Sequence, residues 1–194
     1  MPRPIDLRVA LAPLDTYTEL TREPAGSGWL RALERPVLVA VIVGTAVTLS
    51  SAERVPIGLV AMGILCWSFV PALQLLVGAI VSAMATARPI TMARSIELLF
   101  MAQLPWSLWV LVVTGLTTFT PIPLPQTVQV LSLLVPGVWT TRIVYAFCRT
   151  ALGCAPGRAR LLAAAHQAMT WVVFFTYVFL VSGIRGRILA LVGA

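Results

Sequence analysis

VPIGLVAMGILCWSFVPALQLLVGAIVSAMA, residues Val55 to Ala85, has no charged side chain and only Ser68, Gln74 and Ser82 from the set Ser, Thr, Asn and Gln. About 20 apolar residues, rising 1.5 Å each, cross a hydrocarbon core of about 30 Å. This stretch is longer than that, so it must tilt, kink at Pro71 or project beyond the bilayer. The rest of the chain agrees with it: 194 residues are 59% hydrophobic and 11% charged, with a mean hydropathy of +0.93. Soluble domains are about 45–50% apolar and about 25% charged. A soluble globular fold is excluded, and the expectation is an all-α, polytopic integral membrane protein.

Working outward from this stretch gives five spans, at about 37–51, 55–85, 96–118, 127–148 and 163–183. The first is short, with Pro36 as its first helical residue and Trp29, Leu30 and Leu33 in the headgroup zone. Only Glu53 and Arg54 separate it from the second span, which predicts a helical hairpin. Pro121, Pro123 and Pro125 forbid a helix between the third and fourth spans and predict an extended loop. A turn from Gly153 to Gly157 precedes the fifth span. The chain then divides into an N-terminal interfacial segment (1–35), a transmembrane domain (36–183) and a short surface tail (184–194).

All fourteen basic residues are Arg, and the sequence contains neither Lys nor Asn. The missing residues have A-rich codons, which points to a GC-rich genome and a bacterial inner membrane. Positive charge in short loops resists translocation. With the N-terminus inside, the inner side collects Arg3, Arg8, Arg22, Arg31, Arg35, Arg88, Arg94, Arg149, Arg158 and Arg160, and the outer side only Arg54, Arg185 and Arg187. The N-terminus is therefore expected in the cytosol and the C-terminus outside. The net charge of +7 reads as a topology signal and an attraction to anionic lipid, not as a nucleic-acid surface. The acid-rich residues before the first span make a poor signal-peptide n-region. Cys66, Cys148 and Cys154 have neither the number nor the spacing of a disulfide framework or a zinc site.

In the polar N-terminal segment, Leu14, Tyr17 and Leu20 recur at helical spacing, with Asp15 to cap the turn and Pro24, Gly26 and Gly28 to end it. The prediction is one short amphipathic helix lying on the inner surface, either a lead-in to the first span or a docking element. Tyr17, Leu20, Glu23 and Pro24, then Trp29-Leu-Arg-Ala-Leu33, Phe100-Met-Ala-Gln-Leu-Pro105 and Trp139, stand in an order that resembles the Ypt-interacting-protein (Yip) domain family in its divergent bacterial form. The resemblance implies five spans and a cytosolic N-terminus. It transfers no functional residue, the Asp-Leu-Tyr-Gly-Pro motif of the eukaryotic members having no counterpart here.

Ionisable residues within spans cost about 2.5–3.5 kcal/mol on insertion scales and mark candidate sites. Glu97, Arg142 and His166 fall at similar depth and could form a polar cluster, with Arg142 paired to Glu97 and His166 titrating beside them. The structural alternative has Arg142 snorkelling to the inner headgroups, Glu97 capping the positive end of its helix and His166 at the interface. His166, beside Ala163, Ala164 and Ala165, is also the one residue able to ligate a porphyrin-type ring; no other cofactor or metal is expected. Pro71, Pro105 and Pro136 mark helix kinks, and Gln74 and Gln103 are the main polar residues near mid-membrane. Gly78, Ser82 and Ala85 form a small-residue face suited to close helix contact.

The chain has no HExxH, no Gly-x-Ser-x-Gly and no phosphate-cradling loop. The functional expectation is a non-enzymatic membrane scaffold or accessory subunit, in contact with lipid and with other membrane subunits or copies of itself. A small oligomeric transporter or channel is the alternative, and a cofactor-bearing subunit the third.

Overall fold

In the computed structural model, the described residues are 5–22, 28–51, 56–85, 90–120 and 125–192. They form ten helices: α1 (Ile5–Leu11), α2 (Pro13–Leu20), α3 (Trp29–Ser51), α4 (Ile57–Trp67), α5 (Phe69–Met84), α6 (Met92–Phe100), α7 (Leu104–Phe119), α8 (Gln126–Ser132), α9 (Leu134–Ala146) and α10 (Pro156–Val192). Among these residues there is no strand. Four helical stretches are long and apolar enough to cross a membrane: Trp29–Ser50, Ile57–Met84, Met92–Phe119 and Thr127–Ala151. They correspond to the first four expected spans.

Three of the four are interrupted near their middles, each just ahead of a proline. The break at Ser68 separates α4 from α5 three residues before Pro71. A 3-10 turn, Met101–Gln103, joins α6 to α7, whose second residue is Pro105. Leu133 separates α8 from α9, and Pro136 is the third residue of α9. The cause is the same in each case, since proline has no N–H and its ring collides with the carbonyl four residues back. The expected kinks at Pro71, Pro105 and Pro136 thus coincide with breaks two to four residues upstream. A π-turn, Phe147–Ala151, ends the fourth stretch.

Pro36 departs from expectation. It lies within α3, which starts at Trp29, so the first helix is not short and Pro36 is not its first residue. The turn preceding Pro36 is held from outside: Arg35 donates to both carboxylate oxygens of Asp6, and Ala32 is buried in a cluster with Val39, Ile96 and Phe100. The C-terminal tail also departs, since α10 continues unbroken through Val192. At 1.5 Å per residue, that is about 55 Å of helix. Glu53, Arg54, Pro121, Pro123, Pro24 and Gly26 lie outside the described residues.

The hairpin of α3 and α4 closes through two glycines. A Cβ on Gly44 would fall on the backbone of Ile64, and one on Gly63 would fall on Thr48 Oγ1. Thr48 in turn donates to the Gly44 carbonyl at 2.7 Å. The expected small-residue face is used within the bundle: Gly78 lies under Leu99, and Ser82 shares a hydrogen bond with Ser95.

The N-terminal segment is not a single surface helix. It forms two helices whose apolar faces are inserted into the bundle, where Val9 and Tyr17 are fully buried with Leu98, Val144 and Phe147. Asp15 does not cap α2; Ala12 is the N-cap residue and makes no side-chain cap bond. The segment is bolted down by backbone acceptors at helix ends and breaks. Tyr17 donates to the Leu98 carbonyl at 2.9 Å, just before the 3-10 turn. Trp139 donates to Ala10 O at 2.7 Å and Arg94 to Leu20 O at 2.7 Å, the carbonyls at the ends of α1 and α2.

Two outcomes are expected in detergent-solubilised protein. Tyr17→Phe keeps the edge-to-face contact with Phe147, 5.9 Å between centroids, but strips the Leu98 carbonyl of this donor at a cost of about 1–3 kcal/mol. A clear fall in the thermal midpoint, read by circular dichroism, is the expected result; an unchanged midpoint would show that this carbonyl has another donor. Gly44→Ala must push α3 from α4 and should destabilise by about 1–3 kcal/mol. Gly115→Ala, where an added Cβ meets nothing within 4 Å, should unfold like the wild type in the same assay.

Candidate functional site

The three helix breaks open onto one cavity. Its volume is about 240 Å³, and its polar lining is small beside its apolar lining. The second stretch contributes Trp67, Val70 and Gln74, the third Gln103, Trp106, Ser107 and Val110, and the fourth Leu133 and Thr140. From α10 come His166, Gln167, Thr170, Trp171 and Phe174. α3 closes one wall with Val39, Val43 and Val47. These positions fall near the midpoints of the four long apolar stretches, so the cavity lies about halfway along the bundle.

The spacing explains the arrangement. Residues 103, 106, 107 and 110 of α7 and its preceding turn, and residues 167, 170, 171 and 174 of α10, both follow the i, i+3, i+4, i+7 pattern of a single helix face. Each such stripe combines hydrogen-bonding residues with aromatic ones. The aromatic rings hold each other in place: Trp106 meets Trp171 edge-on at 5.2 Å and Trp109 at 6.1 Å, and Trp171 stacks on Phe175 at 5.4 Å. Trp109 is further fixed by donating to Ser132 Oγ at 2.9 Å.

Several polar atoms around the cavity have no hydrogen-bond partner. They are Gln74 Oε1, both ring nitrogens of His166, Gln167 Nε2 and Thr170 Oγ1. His166 is 1% exposed and Gln74 5%. Leaving a buried polar group unpaired costs about 1–3 kcal/mol, so such a concentration in one place calls for an occupant that restores the hydrogen bonds. By contrast, a backbone acceptor in the 3-10 turn is satisfied from the cavity lining: Thr140 Oγ1 donates to Ala102 O.

The structure assigns the three expected ionisable residues to different places. Glu97 pairs with Arg94, 2.9 Å away and one turn earlier on α6, and not with Arg142. Arg142 is exposed on α9, in keeping with the snorkelling alternative. His166 is buried in the cavity wall. The combined Glu97, Arg142 and His166 cluster is therefore replaced by an Arg94–Glu97 pair, an exposed cation and a cavity histidine. For His166 as a porphyrin ligand, scale matters: sites for drug-sized ligands run from about 300 Å³ upward, and 240 Å³ suits one substituted ring better than a four-pyrrole macrocycle. Among the described residues, no group of three or more His, Cys, Asp or Glu is placed to hold a metal.

Gln74 and Gln103, singled out from the sequence as mid-membrane polar residues, both line the cavity. Gln167, Thr170, Thr140 and Ser107 were not anticipated. Their signal was the helical stripe shared with tryptophans, which becomes visible once α7 and α10 are known to face each other. Comparison with known proteins adds no identity, for no family model, no curated protein and no solved structure matches this chain.

Proposed function

We propose that this chain is a non-catalytic, five-span membrane protein that holds a small uncharged molecule inside the bilayer, closer to the transporter class than to a passive scaffold. The observation that carries the reading is the group of unpartnered buried polar atoms around one cavity of about 240 Å³ at the meeting point of three broken helices. Broken helices near mid-membrane are how transporters bring polar groups to a substrate. Among the described residues, His166 is the only ionisable one in the lining, with no carboxylate or guanidinium beside it, so the lining offers a charged ligand no counter-ion from these residues. The scaffold alternative gains less support. Exposed Leu, Val and Phe are required of any lipid-facing helix, and the N-terminal segment, for which docking was one of two readings, buries Val9, Ala10, Tyr17 and Leu20 in its own bundle while Ile5, Leu11 and Leu14 stay exposed.

In this reading α10 supplies the fifth crossing. The excess of Arg on the inner side, ten against three, supports a cytosolic N-terminus and an outer C-terminus, in a bacterial inner membrane.

The binding test is to purify the protein in mild detergent, extract it with organic solvent and analyse the extract by mass spectrometry. A small neutral compound should accompany the wild type and be depleted at least tenfold in a Gln74→Leu, Thr170→Val double variant of unchanged helicity. Identical extracts from the two proteins would remove the reading. Topology is checked separately: single cysteines placed at Pro121 to Pro125, in a background lacking the native three, should react with an impermeant thiol reagent from the outer face. Reaction from the cytosolic face alone would invert the orientation.

A further inference from the structure

The cavity adjoins a groove on the side of the bundle. Leu133, Gln167, Trp171 and Phe175 line both spaces. From there the groove runs between α9 and α10 over Val130, Leu134, Gly137 and Val138. Its volume is about 360 Å³, and Val130, Leu134 and Val138 are each more than half exposed. These three belong to the apolar Thr127–Ala151 stretch, so in a bilayer they face lipid tails. The floor of the groove is kept open by Gly137, where an added Cβ would meet nothing within 4 Å. A polar-spotted chamber thus lies next to a mostly apolar groove, with Leu133, Gln167, Trp171 and Phe175 between them.

The unpartnered atoms specify the head of a ligand. Gln167 Nε2 can only donate, Gln74 Oε1 can only accept, and Thr170 Oγ1 and the neutral imidazole of His166 can do both. A complementary head must therefore carry hydroxyl hydrogens as well as acceptor oxygens and bear no charge. Trp106, Trp109 and Trp171 favour a planar ring. Size agrees, since an engineered cavity of about 150 Å³ takes one benzene and 240 Å³ leaves room for ring substituents.

Building on the cavity reading above, we propose that the site takes an alkyl- or prenyl-chain hydroquinone from within the bilayer. Its hydroxylated ring enters between α9 and α10 to hydrogen-bond Gln74, His166, Gln167 and Thr170, and its chain lies in the groove over Gly137. The ring reaches the chamber without passing through water, and the apolar chain stays in contact with lipid. Both hydroxyl hydrogens find acceptors in Gln74 Oε1 and the unprotonated His166 nitrogen. The ring oxygens accept from Gln167 and Thr170.

The test is equilibrium binding of two tritiated probes, decylhydroquinone and methylhydroquinone, kept reduced with ascorbate, to the whole protein in nanodiscs. Binding per chain is corrected for partition into empty nanodiscs. Decylhydroquinone should saturate near one molecule per chain, and Gly137→Leu, which fills the groove, should weaken it at least tenfold while leaving methylhydroquinone unchanged. Gly115→Leu, at another open helical glycine that lines neither space, should bind both probes as the wild type does and so controls for folding. If both probes bind equally and Gly137→Leu affects neither, lateral access is overturned while the cavity reading stands. If neither probe binds, although the solvent extract of the wild type still yields a compound that the Gln74→Leu, Thr170→Val variant lacks, the hydroquinone class is overturned. If neither probe binds and the extracts are identical, both readings fall.

Discussion

The hydrogen bond from Tyr17 to the Leu98 carbonyl joins residues 81 positions apart and addresses the central constraint on this molecule. In apolar surroundings every backbone polar group needs a partner, and a helix broken ahead of a proline releases carbonyls. Here side chains supply the partners: Tyr17 for Leu98, Thr140 for Ala102 and Trp139 for the end of α1. Burial pushes the Tyr17 phenol far above its ordinary range, so it remains a donor at any pH the protein meets. The N-terminal helices are therefore part of the structural solution for the break above Pro105.

This dependence explains which features could be read from the sequence. Long apolar runs and prolines act locally, and so the first four spans and the positions of the breaks were legible. Gln74 and Gln103 stood out because polar residues in such runs are costly. What escaped was non-local. Pro36 looked like a helix start, yet the Arg35–Asp6 pair and the burial of Ala32 hold helical turns on its N-terminal side. α1 was missed because its short apolar pattern gains a reason to be helical only when Val9 is buried against a bundle formed far along the chain. Arg142 was offered to Glu97 because both lay at similar depth; Arg94, on the same helix and one turn away, was closer and already in place.

The many arginines have a structural share beyond setting orientation. Arg94 reaches the end of α2 through Leu20 O, Arg158 the end of α5 through Met84 O, and Arg149 the Cys154 carbonyl that follows the π-turn. Cations at helix C-termini satisfy orphan carbonyls and oppose the negative end of the helix dipole. Three further pairs, Arg8–Glu19, Arg35–Asp6 and Arg94–Glu97, neutralise charge at the same end of the bundle. Arg94, Arg149 and Arg158 are thereby committed to holding helix ends and turns in place.

Charge and polarity are thus divided between two regions with different tasks. Where backbone groups are released, at helix ends and at the Pro105 break, the chain provides its own donors and the accounts close internally. Around the cavity it does not: Gln74 Oε1, both His166 ring nitrogens, Gln167 Nε2 and Thr170 Oγ1 are buried atoms without a hydrogen-bond partner, on residues that line one cavity. A sequence selected for stability alone would fill these positions with Leu or Val, as it does at Val39, Val43 and Val47 on the opposite wall, because apolar replacement of an unsatisfied polar group costs nothing and gains dispersion contacts. Four such residues on α5 and α10, in a chain otherwise so sparing of polar side chains, are the pattern on which the proposed binding site rests.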